Sequence, residues 1–283
     1  MTVAYSVYGG NGFVGTEVMK LLDQDEHDHI RIARNGIEPM HTDEVLYLIS
    51  TTDNYNVLAN PYIDIETNLI HLMRVLEACK RNKTSVFNFV SSWFVYGDQE
   101  ELPVDEDAPC NPKGFYSITK KCAEDLVISY CKTFGMDYRI FRLGNVMGTG
   151  DGGVSAKKNA LQYLIDQMRN NKDLNLYHGG KFFRDYIHVE DVARAMLFLM
   201  EKSPVNDIYN IGGSDDMQEF IDIMNHAKEL LGSTSKFNAV EPSKFHDIVQ
   251  TKDMILDSYK LVELGFEYKH EMVGSLEELC KKN

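Results

Sequence analysis

No basic run interrupts this sequence of 283 residues, whose formal net charge is −14. Nucleic-acid partners are therefore not expected, since their binders concentrate Lys and Arg on one face. An anionic small ligand stays open, because a few arginines, lysines or helix N-termini can converge locally. No apolar run approaches the ~20 residues of a membrane span, so no membrane partner is expected. Met1-Thr2-Val3-Ala4-Tyr5 leads straight into a glycine turn, and no secretory leader is expected. Cysteine is sparse: Cys79, Cys110, Cys122, Cys131 and Cys280 form no C-x-x-C and no spacing with histidine that suits a metal. Their scatter reads as reduced thiols in a cytoplasmic protein without a metal site. Internal repeats and low-complexity tracts are missing too. What is present is a 43% hydrophobic chain, enough for one large α/β domain or two unequal ones.

Val3 to Tyr8 reads as a short buried strand. Gly9-Gly10-Asn11-Gly12-Phe13-Val14-Gly15 follows it, and Thr16 to Asp23 then reads as helix. Strand, glycine turn and helix in this order are what a dinucleotide site requires. Gly9, Gly12 and Gly15 allow the backbone to approach a pyrophosphate, and Phe13 and Val14 open the helix whose free N–H groups face it. Ile30 to Arg34 reads as the second strand, whose end meets the adenosine ribose. An acid there suits NAD and an arginine suits NADP. The segment ends Arg34-Asn35 with no acid, which favours NADP over NAD. Val45 to Ser50 reads as the next strand, with Leu48 and Ser50 expected among the cofactor contacts. A long helix is expected over 62–82. Val86 to Ser92 reads as a strand ending in hydroxyls. Ligands sit at the carboxyl ends of strands in open α/β sheets, so Ser92 is placed to hydrogen-bond a substrate oxygen.

Tyr116-Ser117-Ile118-Thr119-Lys120 puts a phenol and an ammonium on one helix face. A nearby ammonium favours phenolate, so the tyrosine pKa is expected to fall and the pair can serve as an acid/base near neutral pH. The spacing recurs at Tyr177 and Lys181, but Gly179-Gly180 between them argues against a helix there. Tyr138 to Leu143 reads as a further strand. Thr149 to Ser155 is glycine-rich and marks entry to a smaller lobe, with a helix over 156–170. Glu190 or Asp191 is expected to open a helix. Ile208 to Gly213 reads as a final strand, and 214–283 as alternating helix and loop.

In this order the pieces resemble the extended short-chain dehydrogenase/reductases, specifically the nucleotide-sugar epimerase/dehydratase family, over nearly the whole chain. The resemblance rests on the Gly9–Gly15 turn, Ser91-Ser92-Trp93-Phe94-Val95-Tyr96-Gly97, Tyr116-x3-Lys120, Arg142-Leu143-Gly144-Asn145-Val146-Met147-Gly148 and Arg184-Asp185-Tyr186-Ile187-His188-Val189-Glu190-Asp191-Val192. It implies a Rossmann-type doubly wound parallel sheet. The core would span 1–148, with 181–213 returning to it, and a small substrate lobe would span 149–180 and 214–283. By resemblance, Tyr116, Lys120 and Ser92 are catalytic, and Lys120 also holds the nicotinamide ribose. Asn68 lies near the nicotinamide half of the cofactor. Asn145 contacts the substrate diphosphate region and Arg184 its phosphates, a task a guanidinium fork suits. Many members pair as homodimers through the two helices near 62–82 and 114–135. Leu69, Leu72, Met73 and Leu76 on one helix and Leu126, Val127, Tyr130 and Phe134 on the other would supply the apolar content.

Three departures shape the expected function. The stretch between the second strand and Val45 is short, so a strand and helix beside the adenine are missing. Trp93 and Phe94 stand where the family's dehydratases carry Asp and Glu, and neither titrates. The family's later contacts to the nucleotide find no match around Lys244-Phe245-His246-Asp247. The expectation is an NAD(P)-dependent epimerase, at C4, of a nucleotide diphosphate sugar. The alternatives are an NADPH-dependent reductase of a 4-keto nucleotide sugar and a non-catalytic dinucleotide-binding sensor or scaffold.

Overall fold

The computed structural model describes residues 3–39, 43–152, 154–155, 159–213 and 218–281. The first apolar run forms β1 (Ala4–Tyr8), buried throughout, and the glycine turn leads into α1 (Phe13–Gln24). β2 (Asp28–Ile32) and β3 (Glu44–Tyr47) follow. Next, α2 (Ile63–Ile65), a π-helical turn (Glu66–His71) and α3 (Leu72–Arg81) run on from one another. β4 (Val86–Ser92), α4 (Phe115–Phe134) and β5 (Asp137–Leu143) complete the first half. The second half contains β6 (Asn145–Met147), α5 (Ala160–Arg169), β7 (Leu174–Tyr177), β8 (Tyr186–His188) and α6 (Val189–Lys202). It ends with β9 (Asp207–Ile211), α7 (Phe220–Leu231), β10 (Phe237–Val240), α8 (Lys244–Val249), α9 (Tyr259–Glu263) and α10 (Met272–Lys281).

Six strands form one parallel sheet in the order β2-β1-β3-β4-β5-β9. Helices cover both faces, which is why β1, β3 and β4 read as unbroken buried runs rather than alternating ones. The chain steps outward from β1 to β2 and then back across β1 to β3. Ligands of open sheets bind at this switch point, beyond the carboxyl ends of the strands. One face packs Val7, Leu22 and Phe141 against α6 residues such as Val192 and Met196. The other packs Tyr47, Phe89 and Ile140 against Leu72, Leu76 and Val127. A separate cluster joins Met147, Ile165, Leu176, Met224 and Leu279. The C-terminal stretch serves both regions, since Leu261 and Phe266 belong to the first face of the main sheet.

Several elements differ from their expected bounds. The second strand ends at Ile32, two residues before Arg34, because Ala33-Arg34-Asn35-Gly36 closes a turn with Gly36 N–H donating to the Ala33 carbonyl at 2.7 Å. Among the described residues β2 is the edge of the sheet, as the short connection to β3 led one to expect. The helix expected over 156–170 begins at Ala160; residues 156–158 lie outside the described ones. As expected, Glu190 and Asp191 lie in the first turn of α6, and His188 caps it, its Nδ1 accepting the Glu190 N–H at 3.2 Å. Asp191 is buried, accepting the backbone N–H groups of Lys269 and His270. The stretch 214–283 contains a strand, β10, which pairs in parallel with β7. Both are four residues long, too short for alternation to stand out.

Candidate active site

The site begins where β1 turns into α1. Gly9 adopts φ of +82°, a conformation that favours glycine, and its carbonyl accepts the Gly12 N–H at 2.9 Å. Gly15 must lack a side chain, since a Cβ there would meet the Gly9 carbonyl oxygen at 2.2 Å. This close turn leaves the first N–H groups of α1 facing outward, an anion cradle at a helix N-terminus.

Next along the switch point are Leu48 and Ser50 after β3, then Ser91 and Ser92 ending β4. Ser92 accepts the Phe94 N–H at 3.4 Å and so starts the turn that carries Trp93 and Phe94. Ser91 is buried with its hydroxyl lacking a hydrogen-bond partner among the described residues. α4 brings Tyr116 and Lys120 to the same place. Its first turn is held by Asn54, whose Oδ1 accepts the Ser117 N–H at 3.3 Å. Asn68, on the π-helical turn, uses its whole amide as a brace. Its oxygen accepts from the Ser50 hydroxyl at 3.2 Å and the Thr51 N–H at 2.9 Å, and its nitrogen donates to Thr51 at 2.8 Å and Thr119 at 2.9 Å. It thus ties the loop after β3 to the helix bearing Tyr116 and Lys120. π-turns of this kind recur at functional sites.

The electrostatics differ from those the Tyr-x3-Lys spacing suggested. The Tyr116 phenol has a raised pKa, because it is buried; hydrogen bonds with the hydroxyls of Ser92 and Ser50 pull it the other way. The Lys120 side chain reaches strand β4. Its ammonium donates to the Val90 carbonyl at 2.6 Å and lies 4.1 Å from the centre of the Phe89 ring. Burial pushes the Lys120 pKa down to about 7, partly opposed by Glu124.

The opposite wall comes from the second half of the chain. Asn145 donates both its backbone N–H and its side-chain amide to the Asp185 carbonyl, at 3.3 and 2.9 Å. Arg184 donates to the carbonyls of Thr251 at 2.6 Å, Phe183 at 3.1 Å and Lys252. Its guanidinium lies 5.1 Å from the rings of both Trp93 and Phe182 and makes no ion pair among the described residues. Burial lowers its pKa, with Tyr186 and Asp253 opposing. Trp93 and Phe94 stack at 3.8 Å, and Phe94 meets the Tyr116 ring edge-on at 5.9 Å. This aromatic pair both packs against Val95 and Tyr96 and walls the site.

One cavity of about 1320 Å³ joins these parts, running past Gly9, Gly12, Phe13, Val14, Gly15, Leu48, Ser50, Ser92, Tyr116, Lys120, Asn145 and Arg184. Three expected contacts lie outside its lining: Arg34 and Asn35, exposed in the turn after β2, and the bracing Asn68. The glycine cradle and the unpartnered Ser91 hydroxyl fit a dinucleotide laid across the switch point. Sequence reasoning missed Ser91, Asn54 and the aromatic link across the cavity in which the Tyr55 hydroxyl meets His246 Nδ1 at 2.5 Å. No short motif announces such contacts, since the partners are far apart in sequence. His188, Glu190 and His270 also cluster closely enough to suggest a metal. The His188 Nδ1 lone pair is already taken by the Glu190 N–H, its buried Nε2 makes no hydrogen bond among the described residues, and the cluster lies outside the cavity lining.

Comparison with known proteins places this geometry. Residues 36–212 match the model of the NAD dependent epimerase/dehydratase family. A Methanocaldococcus jannaschii protein provisionally named UDP-glucose 4-epimerase is 28% identical, over 78% of this chain and 81% of its own length. A trifunctional UDP-glucose 4,6-dehydratase/UDP-4-keto-6-deoxy-D-glucose 3,5-epimerase/UDP-4-keto-L-rhamnose-reductase of Arabidopsis thaliana is 31% identical over 79% of this chain, which spans only 33% of that longer protein. The crystal structure of Thermotoga maritima UDP-glucose 4-epimerase with UDP-glucose superposes with a TM-score of 0.86, covering 99% of this chain and 98% of that one at 24% identity. That likeness establishes a shared fold.

Proposed function

The chain belongs to the NAD dependent epimerase/dehydratase family, and from that premise we propose that it is an NAD(P)-dependent epimerase, acting at C4 of a nucleotide diphosphate sugar through a transient keto-sugar. The observation that carries this reading is the Tyr116 phenol, buried beside the hydroxyls of Ser92 and Ser50 in a cavity that continues from the glycine turn to Arg184. The α1 N-terminus would hold the dinucleotide pyrophosphate, and Leu48, Ser50 and Lys120 would line its path. A bound dinucleotide supplies hydride exchange and, when oxidised, a positive charge that favours the phenolate. Tyr116 takes the proton from the sugar hydroxyl and returns it. Ser92 hydrogen-bonds the reacting oxygen. Asn145 and Arg184 hold the diphosphate side of the substrate. Hydride given up by C4 to a bound oxidised dinucleotide would return to the opposite face of the turned keto-sugar, inverting the configuration.

NADP is the preferred dinucleotide on this reading, because no acid closes β2 and Arg34 follows it. The same observation favours a second reading, an NADPH-dependent reductase of a 4-keto nucleotide sugar. Dehydration is disfavoured, since the stacked Trp93 and Phe94 offer no titrating group beside Ser92. A homodimer is also proposed, through the faces of α2–α3 and α4. Leu72, Leu76 and Val127 cannot serve it, being buried against the sheet; Ile63, Ile65, Ile70, Phe115, Ile118 and Phe134 are the exposed large apolar residues there. Among the described residues no helix is long and apolar enough to cross a membrane.

The direct test is spectroscopic. Purified protein loaded with oxidised dinucleotide is mixed with a panel of nucleotide hexoses. A transient rise in the reduced-nicotinamide absorbance that Tyr116→Phe abolishes is expected. No change with any nucleotide sugar would overturn the proposal.

A further inference from the structure

α8 and the residues after it, as far as Asp253, wall the end of the cavity that holds Arg184. The sequence around His246 matched no expected contact, yet in the fold His246 is gripped from several sides. Ser243 caps α8, its hydroxyl accepting the His246 N–H at 3.2 Å. The centre of the Tyr177 ring lies 4.5 Å from that of the imidazole. His246 Nδ1 shares a hydrogen bond of 2.5 Å with the Tyr55 hydroxyl, and the Phe245 ring lies 5.4 Å from the Tyr55 ring. Tyr55 belongs to the loop after β3, so this bond ties the C-terminal half of the chain to the main sheet. Arg184 holds the far end of the same wall through the carbonyls of Thr251 and Lys252.

Asn54, the residue before Tyr55, is buried and reaches α4. Gly114 stands at the N-cap of α4 and has no side-chain oxygen to offer a backbone N–H. Asn54 Oδ1 takes that part, accepting the Ser117 N–H at 3.3 Å. The fit is close: a Cβ on Gly114 would meet Asn54 Oδ1 at 2.2 Å and the carbonyl oxygen of Val249, from α8, at 3.0 Å. The first turn of α4 is therefore set jointly by the loop after β3 and by α8. Tyr116 is the second residue of that turn. First-turn N–H groups have no partner within their own helix, so the cap decides where the turn sits. A displacement of about 1 Å at a reacting group costs on the order of 10²-fold in rate.

We propose that Tyr55 and His246 are positioning residues: their hydrogen bond closes α8 onto the loop after β3, and Asn54 in that loop then sets the first turn of α4 and the Tyr116 phenol. The proposal rests on the reading of Tyr116 as the acid/base group and adds what readies it. A nucleotide sugar that seats α8 against Tyr55 thereby aligns the phenol that acts on it.

The test compares full-length wild type, Tyr55→Phe, His246→Leu and His246→Gln, each checked for folding by circular dichroism. One arm needs no turnover: hydrogen exchange over 114–120, read by mass spectrometry, beside UDP affinity by calorimetry. The other is kcat and KM with whichever nucleotide hexose the wild type converts. Tyr55→Phe and His246→Leu should exchange about tenfold faster over 114–120 and bind UDP within about threefold of wild type. Their kcat should fall about 10- to 100-fold with KM little changed. His246→Gln, whose amide oxygen still accepts from the Tyr55 hydroxyl, should recover most of both. Unchanged exchange, or a glutamine variant as impaired as the leucine one, would overturn the proposal. So would a native kcat with the whole loss in KM and UDP affinity, which would make the pair a ligand contact. A wild type that converts no nucleotide sugar would instead overturn the epimerase reading, and the exchange arm would still decide this one.

Discussion

The ammonium of Lys120 donates to the carbonyl oxygen of Val90, 2.6 Å away and on the adjoining strand β4. This bond spends one of three donors on the backbone and leaves the charge among apolar neighbours such as Phe89. Burial brings its pKa down to about 7. The folded-state value lies below the unfolded one, so this residue's contribution to stability is present above the unfolded pKa, near 10.5. It is lost as pH falls towards 7. Lys120→Met should therefore raise the melting temperature of the ligand-free protein at pH 7, with the gain shrinking as pH rises towards 10, while turnover disappears. A melting temperature that falls equally at both pH values would contradict this account.

Tyr116→Phe removes only the phenolic oxygen. Turnover should drop by about 10²- to 10⁴-fold, the scale of one acid/base group. Dinucleotide affinity by titration should be close to native. Near-native turnover would take Tyr116 out of the chemistry.

Gly15→Ala places a methyl group 2.2 Å from the Gly9 carbonyl oxygen, and backbone cannot yield as a flexible side chain can. The turn must open, and dinucleotide affinity should fall roughly tenfold or more. An alanine variant that binds like wild type would show that the cofactor does not use this turn.

Glu124 and Arg142 form a buried two-point ion pair, at 3.0 and 2.8 Å, that fixes α4 on β5. Glu124→Gln leaves Arg142 buried with an incomplete partner. A loss of about 3–5 kcal/mol in denaturant unfolding is expected. A loss below ~1 kcal/mol would mean that the pair is reached by water.

Much of this was legible in the sequence, and the rest failed for definable reasons. β1, β4 and β5 announced themselves as apolar runs because helices bury both faces of the sheet. The glycine turn and Tyr116–Lys120 fell within single local motifs. β2 was misplaced because an edge strand is half exposed and lacks that signal; its burial falls almost wholly on Ile32. The direction of the Lys120 side chain was not legible, because Val90 lies thirty residues earlier and only tertiary packing brings it near. Asn68 was recognised by position, yet its role as a brace depends on Ser50, Thr51 and Thr119 converging on one amide.

The central claim is tested most directly by the product. Protein loaded with dinucleotide is incubated with UDP- and dTDP-linked hexoses, and products are read by mass spectrometry and by proton NMR of the sugar ring. The account predicts an unchanged mass with inverted configuration at C4 for at least one substrate. Trp93 and Phe94 stand beside Ser92 where dehydration would need titrating groups. Loss of one water at a comparable rate would contradict it.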